Sequence, residues 1–397
     1  MAKRPRILIA GGGIGGLALA HALRRGGLHE VAVYEQEPAP ATRNQGFRIH
    51  IDAEGDAALR DCLPAHVLDL VRSTSGVPND LLATYTDQLQ QVMALNFPID
   101  SDQVITHVDR HAFRQALLAD LGESVRFGRS VTDYQVTDSG RVRAFFAQGG
   151  SDEGDVLVGA DGIGSAVRRR LLPHATVRDL GLRCIYGRMP ITPATEQLIP
   201  ADFDRGFCWV ADERGGGVGF APMRFRDQSA GIADGTADYL MTALVATAER
   251  LDIPDEWLFA LSPRELWTLV LEATGDWHPA LREILRNADA DSFFPVAVRA
   301  GERIDAWRSG PVTLLGDAVH TMPPTGGIGA NTALQDAATL AEELLAAARG
   351  EKRLVDAIAD YERVMLPRGF DNIDYSLRNA AMMFGAQGAD TVGVAGH

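Results

Sequence analysis

The opening of the chain restricts its fold more than any other stretch. Residues 6–35 read RILIAGGGIGGLALAHALRRGGLHEVAVYE. A short β-like run, Arg6 to Ala10, meets Gly11, Gly13 and Gly16 in GxGxxG spacing. A helical stretch from Ile14 to Arg25 follows, then a second strand-like run, Val31 to Tyr34, ending on Glu35. The first glycine lets the chain turn sharply, the second lets a pyrophosphate approach the backbone, and the third lets helix and strand pack closely. The helix N-terminus at Gly13 and Ile14 offers N–H groups and positive dipole to phosphates. Glu35 stands where a carboxylate accepts both ribose hydroxyls of an adenosine, which favours FAD or NAD over NADP at this site. GxGxxG alone is weak evidence, but here strand, helix and acidic strand end all fall in place.

Two further stretches share the strand–glycine–helix pattern. Residues 155–171, DVLVGADGIGSAVRRRL, give a strand, then Asp161-Gly162, then a helix opened by Ser165. The plain alternative is a βα turn in which Asp161 caps the helix. Residues 312–331 give a strand, Val312 to Leu315, with Asp317 at its carboxyl end, where ligands bind in open α/β sheets. Pro323 and Pro324 stiffen the next loop in an extended form, and Gly326, Gly327 and Gly329 let the backbone lie flat against a planar ring. A helix is expected from about Asn331 to Ala347. Its N-terminus at Ala330 and Asn331 directs N–H groups at whatever sits in the loop.

Composition narrows the class. The 397-residue chain is 46% hydrophobic, enough for a large core, and its formal charge of −15 gives no field for nucleic acid or anionic membranes. Cys62, Cys184 and Cys208 are widely spaced without CxxC pairing, which argues against a disulfide framework or a zinc site and fits a reducing cytoplasm. No metal spacing stands out. Five glycines break the first apolar run and no small-residue cleavage site follows, so a secretory leader is not expected, nor is any membrane span.

Together, Gly11-Gly13-Gly16, Asp161-Gly162 and GDAVHTMPPTGGIGAN (Gly316 to Asn331) resemble the three motifs of the single-component FAD-dependent aromatic hydroxylases of the para-hydroxybenzoate hydroxylase type, the group A flavoprotein monooxygenases. The resemblance implies an α/β fold: a Rossmann-like FAD-binding domain, an inserted antiparallel β-sheet substrate domain and a C-terminal helical segment. It implies FAD-binding parts at 1–76, 98–180 and 286–397, and substrate-domain parts at 77–97 and 181–285. Glu35 would bind the FAD ribose, Asp317 the ribitol, and Asp161 the region near the pyrophosphate. Arg110 would lie near FAD, with Arg114 one turn on as competitor, and Arg43 and Arg48 would pass beside the isoalloxazine ring. The loop at Pro324, Gly326 and Gly327 would shape the oxygen-transfer site with no side-chain base assigned, and His320 reads as structural.

The implied reaction consumes NADH or NADPH and O2 and hydroxylates an aromatic or polyketide-like small molecule through a flavin C4a-hydroperoxide. Rivals are an FAD-dependent reductase of the isoprenoid type and a non-catalytic FAD sensor. A halogenase would need a lysine beside the flavin, and only Lys3 and Lys352 exist. In the middle region, RCIYGRMPI and FCWVADERGGGVGFAPMRF read as strands with a hairpin. Trp209, Phe220, Met223 and Phe225 are candidate substrate contacts, although such residues on strands are more often core. Helices are expected around Ala237 to Arg250, near Glu256 and near Ala280, and a long helical stretch from Leu354 to Met383 is expected to break near Pro367.

Overall fold

The computed structural model describes residues 4–40, 46–99, 103–227 and 237–392. The first strand, Ile7–Ala10, lies in the middle of a five-stranded sheet whose strands all run parallel. Val156–Gly159 and then Val312–Leu314 flank it on one side, Val31–Tyr34 and then Val125–Arg126 on the other. The two strands beside it and the first strand itself are buried throughout, which explains their unbroken apolar runs: both faces of a parallel sheet are covered. Ile14–Arg25 and Gly329–Ala348 pack together as part of that cover. The carboxyl ends of three adjacent strands therefore carry Gly11, Asp161 and Asp317 to one edge, beside the point where strand order reverses.

A seven-stranded sheet forms the second layer, in the order Phe294–Gly301, Val177–Pro190, Tyr239–Thr247, Gly216–Met223, Gly206–Asp212, Leu81–Thr86, Gln91–Asn96. It is mixed rather than purely antiparallel, because Gly206–Asp212 runs parallel to Leu81–Thr86. It also recruits Phe294–Gly301, beyond the segment ending at 285 that the sequence suggested. The expected hairpin is present, with Cys208 opposite Phe220.

Three local expectations are corrected. The stretch 237–250 is a strand, Tyr239–Thr247, followed by one short turn of helix at Ala248–Leu251. The strand is buried on both faces, so its sequence lacks polar alternation and cannot be told from a helix by periodicity; pairing with strands on either side decides the outcome. The C-terminal helix, Leu354–Val392, runs on through Pro367 without a break. Met365, Phe370 and Ile373 are buried around that proline, and tertiary packing of this kind outweighs local propensity. The helix after the proline loop begins at Gly329, two residues earlier than expected.

A buried ionic cluster joins this long helix to the third motif. Asp336 Oδ2 lies 2.6 Å from His320 Nε2 and accepts the Gly316 N–H at 2.9 Å, while Oδ1 accepts from Arg368 Nη2 at 2.8 Å. Burial opposes charge on both partners, yet their mutual attraction wins: the imidazole is raised and the carboxyl lowered from their ordinary values. This cluster gives His320 a structural role. Asp336→Ala leaves an imidazole, a guanidinium and a backbone N–H without their shared acceptor. It should cost about 3–5 kcal/mol in urea unfolding, as expected for breaking a buried pair; a loss under about 1 kcal/mol, typical of an exposed pair, would contradict this assignment.

Candidate functional site

The glycine loop assigns its own roles. Gly11 turns at φ +107°, and a Cβ there would lie 2.2 Å from the Ala160 carbonyl oxygen. A Cβ on Gly16 would lie 2.2 Å from the Gly11 carbonyl oxygen, and one on Gly12 2.9 Å from Glu35 Oε2. At Gly13 nothing lies within 4 Å. Gly11 and Gly16 are therefore small because protein presses on them, and Gly13 is small beside open space, where a phosphate can approach the backbone. Glu35 closes the loop: Oε2 accepts the Gly12 N–H at 3.0 Å and Oε1 the Glu37 N–H at 2.9 Å. Each oxygen keeps capacity for a further donor.

Arg114 spans the same loop, donating to the Gly12 carbonyl at 3.2 Å and to Pro40 at 2.8 Å, with Glu35 at 3.3 Å. Arg110 lies elsewhere, against Gly46 and close enough to Asp317 to favour its ionised form. The geometry separates the two candidates: Arg110 faces the third motif and Arg114 ties the first. Arg43 lies outside the described residues.

At the second motif Asp161 Oδ2 caps the helix Ala166–Leu171, accepting from Ala166 N at 2.8 Å, while its buried Oδ1 has no hydrogen-bond partner. The capping reading of this residue therefore holds, and the second oxygen is not used by the protein. Gly162, at φ +71°, has nothing within 4 Å of its Cβ position. Arg168, which the sequence reading passed over in its RRR run, joins the motifs: Nη2 donates to Ile163 O at 2.7 Å and Nη1 to Ala318 O at 3.0 Å. Of the three arginines it alone is buried.

In the third motif Asp317 opens a short helix, Asp317–His320, and is solvent-accessible although protein atoms surround its carboxyl closely. Those surroundings raise its pKa from the ordinary value, with His320 and Arg110 opposing. Pro324–Gly326 make a tight turn rather than a wholly extended loop, and the Pro324 carbonyl accepts the Gly327 N–H at 3.0 Å. Gly326 is pressed against Ser376 Oγ, 2.8 Å from a Cβ, whereas Gly327 at φ +64° and Gly329 meet nothing closer than 3.5 Å. The Asn331 side chain is committed inside the protein. Nδ2 donates to His50 O and Gly327 O, both at 3.1 Å, and Oδ1 accepts from Asp52 N at 3.2 Å. Only its backbone, with Gly329 and Ala330 in the first turn, is available to a ligand.

One face of the seven-stranded sheet packs against Phe47, whose ring centroid lies 5.8 Å from that of Tyr239. Strand alternation puts Phe220 on the opposite face, fully buried beside Phe203 with ring centroids 5.0 Å apart. Phe220 is therefore removed from the candidate substrate contacts. Trp209 faces inward, but its ring covers Gly217, where a Cβ would meet it at 2.4 Å, and only 4% of the residue is exposed. Met223 and Phe225 join Phe47, Tyr239 and Met241 in a buried inner cluster. The partly exposed inner groups are Tyr186, Arg188, Phe207 and Phe294. Tyr186 stacks on Phe294 at 5.4 Å and 18°, and Tyr239 donates its hydroxyl to Asp109 at 2.8 Å. Sequence reading missed these side chains because their facing depends on strand register. Arg48, on Arg48–His50, reaches Asn79 at 2.9 Å, and its confinement lowers it to about 10.

Comparison with known proteins reads the same way. A FAD binding domain profile matches residues 254–375, and an NAD(P)-binding Rossmann-like domain profile matches 9–60. The crystal structure of a protein assigned as a FAD containing monooxygenase from Photorhabdus luminescens subsp. laumondii TTO1 superposes with a TM-score of 0.84 and 30% identity. It covers 96% of this chain and 98% of that one. The chain belongs to the group A flavoprotein monooxygenases. FAD is the cofactor of this flavoprotein. It is 32% identical over 410 residues to the dual O-methyltransferase/FAD-dependent monooxygenase CTB3 of Cercospora beticola, covering 96% of this chain and 46% of that protein. The chain thus spans about half the length of the first curated relatives it matches. It is 28% identical to 6-hydroxynicotinate 3-monooxygenase of Pseudomonas fluorescens, over 86% of this chain and 83% of that one.

The glycine geometry separates two effects of substitution. Gly11→Ala should cost more than about 1 kcal/mol in the flavin-free protein, because an L-residue is strained at that φ and meets Ala160. Gly13→Ala should leave the flavin-free protein within about 0.5 kcal/mol of the parent, as for a site without neighbours, while weakening FAD retention. Denaturant unfolding and flavin content together check this, and equal destabilisation by both substitutions would contradict it.

Proposed function

We propose that this chain is a monooxygenase that consumes NADH or NADPH and places one oxygen atom of O2 on an aromatic or polyketide-like small molecule. The observation that carries the reading is the convergence of three strand ends, with their open glycines and unspent carboxylate oxygens, under a sheet face bearing Tyr186, Phe207 and Phe294. FAD, when bound, supplies the chemistry: it accepts hydride from the nicotinamide nucleotide and activates oxygen.

The chain's own groups hold and orient. Gly11, Gly13, Ile14 and Gly16 admit the pyrophosphate to the first helix N-terminus, and Glu35 accepts from the ribose. Asp161 and Gly162 take the cofactor near the pyrophosphate through the unspent Oδ1. Asp317 accepts from the ribitol beside Arg110, and Arg48 lies toward the ring. Gly329, Ala330 and Asn331 present backbone N–H groups that stabilise negative charge on the ring. Pro324, Gly326 and Gly327 shape the place where oxygen and substrate meet. The roof excludes water there, which strengthens each electrostatic contact beneath it.

The FAD-binding parts are 1–76, 98–180 and 286–397, and the substrate parts 77–97 and 181–285, to which Phe294–Gly301 adds its strand. Lys352 is held by Glu343 at 2.5 Å and Asp360 at 2.6 Å, so it serves a surface cluster. Among the described residues no helix is long and apolar enough to cross a membrane, and the three cysteines are free and buried. The free, buried thiols support a place in a reducing cytoplasm.

The test is oxygen uptake with NADH or NADPH across phenolic and polyketide-like compounds under labelled O2. A compound that gains one labelled oxygen is expected; substrate turnover without oxygen uptake would contradict the proposal. Asp317→Ala should purify with less than about a tenth of the parent's flavin, if its hydrogen bonds to the cofactor are charge-assisted. Unchanged flavin content would count against its role.

A further inference from the structure

The seven-stranded sheet ends on a strand whose outer edge no other described strand covers. Among the described residues Gln91–Asn96 pairs with Leu81–Thr86 alone, and every residue along it is exposed. Its sequence is nevertheless apolar: Val92 is 69% exposed, Leu95 45%, and Phe97, just beyond the strand, 51%. Free edges present unpaired N–H and C=O groups, and natural chains blunt them with charge, proline or a bulge. Here no charged residue occurs from Gln88 to Ile99, in a chain that is 23% charged. Pro98 lies past the strand, and the irregularity of pairing falls between Met93 and Gln91. Met93 to Phe97 is left regular and unprotected, with the Phe97 N–H continuing the inner pairing by donating to Asp80 O at 2.8 Å.

Register shows where the exposed side chains point. Leu95 pairs with Leu82 and through it with Phe207, and Met93 pairs with Thr84 and through it with Trp209. Met93, Leu95 and, by alternation, Phe97 therefore extend the inner face of the sheet as one apolar row. A two-fold axis perpendicular to the sheet and passing through Leu95 lays this row on its own copy. Leu95 then meets its counterpart, and Met93 and Phe97, equally far on either side, meet each other across the axis. Such an axis keeps the inner faces of both chains on the same side, as an isologous contact requires. The neutrality of the row decides the occupant: two chains of net charge −15 can approach here without opposing like charges.

We propose that Gln91–Asn96 is a homodimer interface, where two copies of the chain join edge to edge, antiparallel, into one continuous sheet centred on Leu95. Main-chain hydrogen bonds along the two strands supply the attraction, and the apolar row packs over them. The contact is short, which places it in the weak, reversible class of interfaces rather than the obligate one.

The experiment is sedimentation velocity of the FAD-loaded protein from about 1 to about 100 µM, the range in which a weak interface fills. The parent should pass from monomer toward dimer as concentration rises. Leu95→Lys and Leu95→Glu should each stay monomeric, because like charges face each other across the axis, whereas an equimolar mixture of the two should dimerise through an opposite pair. Val364→Lys, at a residue 46% exposed on the C-terminal helix, should behave as the parent does. Parental flavin content and thermal unfolding in each variant report an intact fold, as expected for exposed positions. A parent that stays monomeric throughout would leave the row to an unlike partner and overturn the proposal. So would a dimer that survives Leu95→Lys, or a mixture that fails to reassociate.

Discussion

The rest of the site depends on a backbone contact between Gly11 and Ala160, where the ends of two parallel strands pass too closely for any side chain. Ala160 N donates to Ala10 O at 2.7 Å at the same point, so the first two motifs form one surface although 150 residues separate Gly11 from Asp161. Further ties carry the surface outward. Arg168 pins the second motif to the third through Ala318 O, and Asp336 pins the third to the C-terminal helix. These ties are buried and charge-assisted, which makes this surface a rigid floor.

The seven-stranded sheet contributes a roof of different chemistry. Its outer face is ordinary core, with Phe203, Phe220 and Trp277 buried against the helices Pro263–Ala273 and Pro279–Arg286. Its inner face mixes aromatic rings with arginines and carries hydrogen-bonded Tyr239. Strand alternation separates the two faces, so one sheet carries a packed core on one side and partly exposed rings on the other. Floor and roof meet at Phe47 and Arg48, which pack against Tyr239 and Asn79 respectively.

Much of the floor was legible in the sequence because backbone requirements leave chemical traces. Glycines at fixed offsets, an acid at a strand end and paired prolines each reflect a geometry few residues can adopt. The roof was less legible. Strand 239–247 is buried on both sides and looked helical, and Phe220 and Tyr186 differ in facing only through register, which a single sequence does not display. Arg168 was hidden among identical neighbours, since helical position alone turns it inward. Pro367 misled in the opposite direction, because a local rule for breaking helices yielded to packing along the long C-terminal helix.

The central claim is that this floor and roof together make a site for oxygen activation over a flavin. It is tested most directly by rapid mixing of the anaerobically reduced, FAD-loaded protein with oxygenated buffer, with and without phenolic ligands, while flavin absorbance is followed. The account predicts a transient spectrum, distinct from both oxidised and reduced flavin, that decays to the oxidised form. Direct return to oxidised flavin under every ligand would contradict it.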